Sequence, residues 1–244
     1  GKTVSKTAPD VETIKADRYD DLTAIEGRKF DWVFDTCAYT PGSVERLLVA
    51  LGKDVSRYVL ISSVSVYGTF VEDGLSETVP VPDASAADHE KAASLPSYER
   101  ASAFAYGPSY GPLKRACEQK AGELYGERAT ALRVGLLVGA GDYTDRLTWW
   151  VRRLDEASGD RAKVPVPAPL DRPVQMIDVR DAADFAVLCA SGDLSGIWNV
   201  TGEPFPLHEA LLEIAKVSGS EAEFVFVDEE EIVKAEISPW TEIP

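Results

Sequence analysis

The sequence predicts an α/β fold in which helices cover both faces of a parallel sheet. Three observations lead there. Tyr58-Val59-Leu60-Ile61 is a continuous apolar run of the kind a strand buried on both faces requires. Such runs alternate along the chain with segments of helical period. The 244 residues, 45% of them hydrophobic, suffice for one large domain, or one domain with a modest cap.

Residues 11–15 alternate and suit a short strand. Residues 20–26 suit a short helix ended by Gly27. Residues 32–34 read as a buried strand, 42–51 as a helix capped by Gly52, and 58–61 as the next strand. Residues 69–109 are rich in Ala, Ser, Pro and acid with little periodicity, the texture of a mobile lid over a site. Helical spacing returns over 110–125, followed by a strand over 129–138 and a helix over 145–156 carrying Trp149 and Trp150. Pro165, Pro167, Pro169 and Pro173 break the next stretch. A short strand at 174–177, a helix at 181–190, and a strand–helix–strand tail at 197–200, 207–217 and 223–227 complete the chain. Asp228-Glu229-Glu230-Glu231 reads as a solvated helix start.

Composition excludes several functions. Lys+Arg 25 against Asp+Glu 41 gives a net charge of −16 and an isoelectric point near 4.6. A chain that acidic repels phosphate backbones and anionic membranes, so neither nucleic acid nor membrane is expected as a partner. No apolar run approaches the roughly 18 residues of a spanning helix. Cys37, Cys117 and Cys189 are far apart and match neither a disulfide framework nor a zinc site, which fits a reducing cytoplasm. With His89 and His208 in different segments, a His-based metal site or a Ser-His-Asp triad is poorly supplied.

Two motifs carry chemistry. In Tyr110-Gly111-Pro112-Leu113-Lys114 the Tyr and Lys lie four apart, on one helix face. A nearby ammonium favours the phenolate, so this Tyr could exchange a proton with a substrate hydroxyl. Ile61-Ser62-Ser63-Val64-Ser65-Val66-Tyr67-Gly68 sits where a buried strand ends, the end at which open α/β sheets bind ligands. A hydroxyl there could donate to a substrate oxygen. Serines at a strand exit also commonly satisfy their own backbone.

Together these two motifs resemble the extended short-chain dehydrogenase/reductase family, the NAD-dependent epimerase/dehydratase group. Ala16-Asp17, Asp35-Thr36-Cys37-Ala38, Leu132-Arg133-Val134-Gly135 through Gly139-Ala140-Gly141-Asp142, Ile177-Asp178-Val179-Arg180-Asp181 and Trp198-Asn199-Val200-Thr201-Gly202 resemble its other landmarks, in order. The resemblance implies a Rossmann-type doubly wound sheet over residues 1–141, with 69–109 as the lid. Residues 142–244 would be mainly a smaller C-terminal substrate-covering part, with some segments returning to the sheet. It implies that Ser63 orients the substrate oxygen and Tyr110 is the acid/base. Lys114 would hold the nicotinamide ribose and tune Tyr110. Asp17, Cys37, Ala38 and Val134 would line an NAD or NADP cofactor. Lys2 tips the choice toward NADP, since it stands where the second-strand loop would meet a 2′-phosphate.

The implied activity is NAD(P)-dependent oxidoreduction, epimerisation or dehydration of a small hydroxyl or carbonyl compound. The alternative is a non-catalytic dinucleotide-binding sensor or scaffold of the same fold. The expected partners are a small-molecule substrate and, as an option, a second copy in a homodimer. Three positions depart from the family pattern. No G-x-x-G-x-x-G turn occurs anywhere in the sequence. Val134 stands where proline is usual. Val174 stands where nucleotide-sugar epimerases carry an arginine that grips a pyrophosphate, with Arg172 nearby but out of register, which argues against a nucleotide sugar. Residues 11–15 resemble the third strand of the fold and 32–34 the fourth. A further 35–45 or so residues are therefore expected ahead of Gly1.

Overall fold

The structure, a computed structural model, describes residues 10–68, 74–142, 144–157, 162–169 and 171–237. Lys2 and residues 69–73 of the expected lid lie outside these. The elements run β1 (Trp32–Asp35), α1 (Pro41–Leu51), β2 (Arg57–Ser63), α2 (Ala86–Ser94), α3 (Tyr110–Tyr125), β3 (Ala129–Val134), β4 (Leu136–Val138) and α4 (Arg146–Asp155). They continue β5 (Lys163–Pro167), β6 (Pro173–Val174), β7 (Met176–Asp178), α5 (Val179–Ser191), β8 (Gly196–Val200), β9 (Phe205–Pro206), α6 (Leu207–Ser218), β10 (Glu223–Val227) and α7 (Glu229–Lys234). Two compact units result: Gly1–Val134 with Ala183–Val200, and Gly135–Ala182 with Thr201–Pro244.

The first unit holds a four-stranded parallel sheet in the order β1-β2-β3-β8. Parallel neighbours need crossover helices, and α1 and α3 supply two of them on one face. Val44, Leu48, Leu51, Tyr58, Leu60, Cys117, Ala121 and Ala131 interleave there as one core. Each large side chain so buried contributes roughly 1.5–3 kcal/mol. Thr40 starts α1 by accepting from the Ser43 amide at 3.3 Å, Pro41 opens its first turn, and Gly52, at φ 74°, ends it. Ile197 of β8 packs against the same core. The next residue, Trp198, therefore points to the other face, where Phe185 of α5 meets it edge-on at 6.1 Å. Helices thus lie on both faces, the doubly wound arrangement the sequence predicts.

Residues 11–15 are not a strand. They run as coil, mostly exposed. Alternation alone does not hold a strand; its amides need a ladder, and none of the described strands pairs with the outer edge of β1. That edge leaves Trp32 and Phe34 partly exposed. Residues 20–26 tighten into a single 3-10 turn at Thr23–Ile25, before Gly27 at φ 72°.

Residues 74–109 contain regular elements that their texture does not suggest. A reciprocal capping box between Ser85 and Asp88 starts α2. A 3-10 turn, Ala103–Ser109, then leads into α3. Wholly buried Tyr106 packs with Ala92, Leu95 and Leu113. The pattern is faint because α2 is short, Ala-rich and buries only Ala92.

In the second unit, Trp150, Leu154, Val164, Val166, Leu207, Leu211 and Ile232 form the core. Trp150 is buried, and Trp149 meets it edge-on at 4.7 Å. The prolines at 165 and 167 do not break the chain: they lie inside β5, which among the described residues pairs only with β10. A strand with one free side tolerates a missing amide. The strand expected over 129–138 divides at Gly135, so β3 joins the large sheet while β4 pairs with β7. A side chain at Gly135 would meet the Thr201 methyl at 2.8 Å. The strand expected at 174–177 is likewise two pieces, β6 against β9 and β7 against β4.

Candidate active site

The C-terminal ends of β1, β2 and β3 lie side by side, with Asp35 opposite Leu60 and Ser63 opposite Val134. Beyond Ser63 the chain turns through a 3-10 turn, Val64–Tyr67. Ser63 caps it. Its Oγ accepts from the Ser65 amide at 3.1 Å and donates to Ser65 Oγ at 3.0 Å. The strand-exit serine thus satisfies its own backbone, and a second hydroxyl, Ser65, stands against it.

Tyr110 opens α3, just after Gly107 (φ 52°) and Pro108 redirect the chain. The next residue explains how closely this turn docks. A Cβ on Gly111 would lie 2.1 Å from the Ser65 carbonyl oxygen, so only glycine fits. The first turn of α3 therefore rests directly on the turn that begins at Ser63.

One helical turn further on, Lys114 is 2% exposed. Its Nζ donates to the Ala38 carbonyl at 2.9 Å and to the Ile61 carbonyl, linking the ends of β1 and β2. The Tyr39 ring centroid lies 5.6 Å from the same Nζ, and the rings of Tyr39 and Tyr110 are 6.3 Å apart. Burial pulls the Lys114 pKa below the ordinary lysine value, against the opposing fields of Asp35 and Glu118. Another turn along, buried Glu118 accepts from Ser62 Oγ at 2.6 Å and from a two-pronged Arg133 fork at 3.0 and 2.8 Å. Lys114 and Glu118 thus engage successive residues of β2, fixing α3 along the strand end.

The remaining predicted residues divide. Ala38 is wholly buried and contributes its carbonyl to Lys114. Val134 flanks Ser63. Cys37 is exposed, its Sγ 3.4 Å from Arg18 Nη1. Asp17 is also exposed, and its carboxylate accepts from the Tyr19 amide at 2.9 Å, ordering its own turn. The neighbour of Asp17 makes the long-range contact. Arg18 grips Asp35, which also accepts from the Tyr58 hydroxyl at 2.6 Å. Burial works to raise the Asp35 pKa, but the Arg18 fork and the Tyr58 hydroxyl outweigh it and hold the carboxyl below its usual range.

Sequence reasoning missed Arg18, Tyr39, Ser65 and Glu118. A signal existed for one pair. An acid ending an apolar strand, as Asp35 does after Val33-Phe34, is buried and demands a cation. Among the described residues no His/Cys/Asp/Glu group could hold a metal ion. No described helix is long and apolar enough to cross a membrane.

No family model and no curated protein matches the chain. Solved structures do. RMD from Pseudomonas aeruginosa, complexed with NADPH, is 20% identical with a TM-score of 0.63, over 87% of this chain and 76% of that one. The UDP-N-acetylglucosamine 4-epimerase of Methanobrevibacter ruminantium M1, in complex with UDP-N-acetylmuramic acid, is 19% identical with a TM-score of 0.63, over 88% of this chain and 69% of that one. The dTDP-4-dehydrorhamnose reductase of Clostridium acetobutylicum ATCC 824 is 14% identical with a TM-score of 0.52, over 78% of this chain but only 56% of that one. The chain thus spans little more than half the length of some of these structures. At these identities the likeness is one of architecture, and the chain shares the Rossmann-type α/β fold of these structures.

Proposed function

We propose that this chain is an NAD(P)-dependent oxidoreductase or epimerase/dehydratase acting on a small hydroxyl or carbonyl compound. Tyr110 is its acid/base, Ser63 the residue that orients the substrate oxygen, and Lys114 their support. The observation that carries the reading is the seating of the Tyr110 turn on the turn begun by Ser63, with Lys114 tied to the same strand end. Two hydroxyls and an ammonium on neighbouring elements at the carboxyl edge of a parallel sheet are the donor set that a nicotinamide riboside and a substrate oxygen need.

That donor set fits the nicotinamide half of the cofactor. Ser63 and Tyr110 supply donors, and Val134 supplies apolar surface. Lys114, held by the Ala38 carbonyl, supplies a buried positive charge beside them. A nicotinamide held there would supply hydride exchange with the substrate carbon. The Tyr110 hydroxyl then gives a proton to, or takes one from, the substrate oxygen, and a nearby ammonium lowers the cost of its phenolate. The Ser63 hydroxyl holds that oxygen; its present acceptor, Ser65 Oγ, is exchanged for the substrate. The sequence carries no G-x-x-G-x-x-G turn of the kind that cradles a pyrophosphate. Arg172, which stands near the family's pyrophosphate-gripping position, faces Glu229 at 2.8 Å. A substrate without a nucleotide is therefore favoured.

The test is oxidation of NADPH and NADH, followed by absorbance, with a panel of small aldehydes, ketones and keto-sugars. Turnover that vanishes in Tyr110→Phe supports the reading. Turnover undiminished in that variant removes Tyr110 from it.

A further inference from the structure

Lys114 poses a physical problem. Its ammonium is buried, its three N–H groups need partners, and water is excluded. Two protons go to the Ala38 and Ile61 carbonyls. The acids whose fields reach it, Asp35 and Glu118, are engaged by Arg18 and Arg133 respectively. Cys117 beside it is a buried thiol, its pKa pushed up to about 12 by burial, and so carries no charge. Among the described residues an aromatic ring, that of Tyr39, also lies over the ammonium.

We propose that Tyr39 is a positioning residue of the site. Its ring forms, with the Ala38 and Ile61 carbonyls, a neutral three-sided cage that holds the Lys114 ammonium one helical turn from Tyr110. This inference rests on the reading of Lys114 as the support of Tyr110. The negative face of an aromatic ring attracts a cation within about 6 Å, most strongly where water is absent. The Tyr39 ring meets that distance at 5.6 Å and lies 6.3 Å from the Tyr110 ring, so it touches both members of the pair. Tyr39 is itself held. It stacks on Tyr106 at 5.5 Å with a 28° angle between planes, and the Tyr106 hydroxyl donates to the Arg100 carbonyl at 2.9 Å. The ring packs against the cluster of Ala92, Leu95, Tyr106 and Leu113, so the 103–109 turn and α3 hold it beside Lys114.

The experiment is a pH titration of Lys114 by carbon NMR of ¹³C-lysine protein, with the resonance assigned through Lys114→Met. Tyr39→Leu removes the ring and is expected to lower the Lys114 midpoint by about one unit, with the fold retained by circular dichroism. Tyr39→Phe keeps the ring and leaves the midpoint in place. Tyr39→Trp, which keeps an aromatic face should the leucine variant fail to fold, holds or raises it. An unchanged midpoint in Tyr39→Leu, an equal fall in Tyr39→Phe, or a fall in Tyr39→Trp would each overturn the cage. NADPH titration of the same proteins separates the two readings. A wild type that binds no dinucleotide defeats the proposed function, while the cage stands or falls on the Lys114 midpoint alone.

Discussion

Arg18 and Asp35 form a two-pronged ion pair, Nη1 to Oδ1 and Nη2 to Oδ2 both at 2.6 Å, with the carboxylate side chain only 2% exposed. This pair ties the Asp17 turn to the end of β1. It also sets how stability depends on pH. Because the folded-state pKa of Asp35 is depressed, its contribution is present above the unfolded value near 3.9 and is lost as pH falls through the folded value. Stability of the wild type on this account holds from neutrality down to about pH 4 and then drops.

Arg18→Ala leaves that carboxylate buried and unpaired, at a cost of roughly 3–5 kcal/mol. The pH dependence then inverts. With its partner gone, burial raises the Asp35 pKa above the unfolded value, so the variant loses stability as pH rises from about 4 toward neutrality. Urea unfolding of both proteins across pH 4–8 checks this. Parallel pH profiles would show that Arg18 does not set the charge state of Asp35.

Glu118 and Arg133, both 1% exposed, are the second buried pair. Glu118→Ala strands the guanidinium and the Ser62 hydroxyl, and is expected to cost roughly 3–5 kcal/mol. Glu118→Leu with Arg133→Met removes both charges and should recover much of that loss. A double variant no more stable than Glu118→Ala would show that shape, rather than unpaired charge, dominates.

Gly111→Ala tests the close approach of α3 to Ser65. A methyl placed 2.1 Å from a backbone oxygen forces the helix or the turn to move, at roughly 1–3 kcal/mol. Because Tyr110 and Ser63 flank that contact, turnover should fall further than stability alone explains. A variant as stable and active as the wild type would mean the turn yields freely.

Tyr110→Phe should leave stability within about 0.5 kcal/mol, since Tyr110 is only partly buried, yet reduce turnover by at least about 100-fold. Comparable losses in thermal stability and turnover would assign the hydroxyl a structural role instead.

The sequence made the doubly wound sheet and the bounds of α3 and β10 legible, because their apolar spacing is regular and their neighbours are punctuated by glycine. Residues 11–15 misled because alternation describes a strand's faces but not its hydrogen-bond partner. Residues 165 and 167 misled in the opposite sense, since proline excludes only a strand hydrogen-bonded on both sides. For the proposed site, Ser63, Tyr110 and Lys114 were singled out from spacing, from the strand end and from the family resemblance. Arg18, Tyr39 and Glu118 were not. Their partners lie 17, 75 and 15 residues away, at Asp35, Lys114 and Arg133, and periodicity carries no information over such separations.

The central claim is that Lys114, between the ends of β1 and β2, supports a nicotinamide site beside Tyr110. Its most direct measurement is a fluorescence titration with NADPH and with NADH, on the wild type and on Lys114→Met, each shown folded by circular dichroism. The account predicts saturable binding by the wild type, tighter for NADPH, and weakened at least about tenfold in Lys114→Met, a loss of about 1.4 kcal/mol. No saturation in the wild type up to millimolar dinucleotide, or equal binding by Lys114→Met, would contradict it.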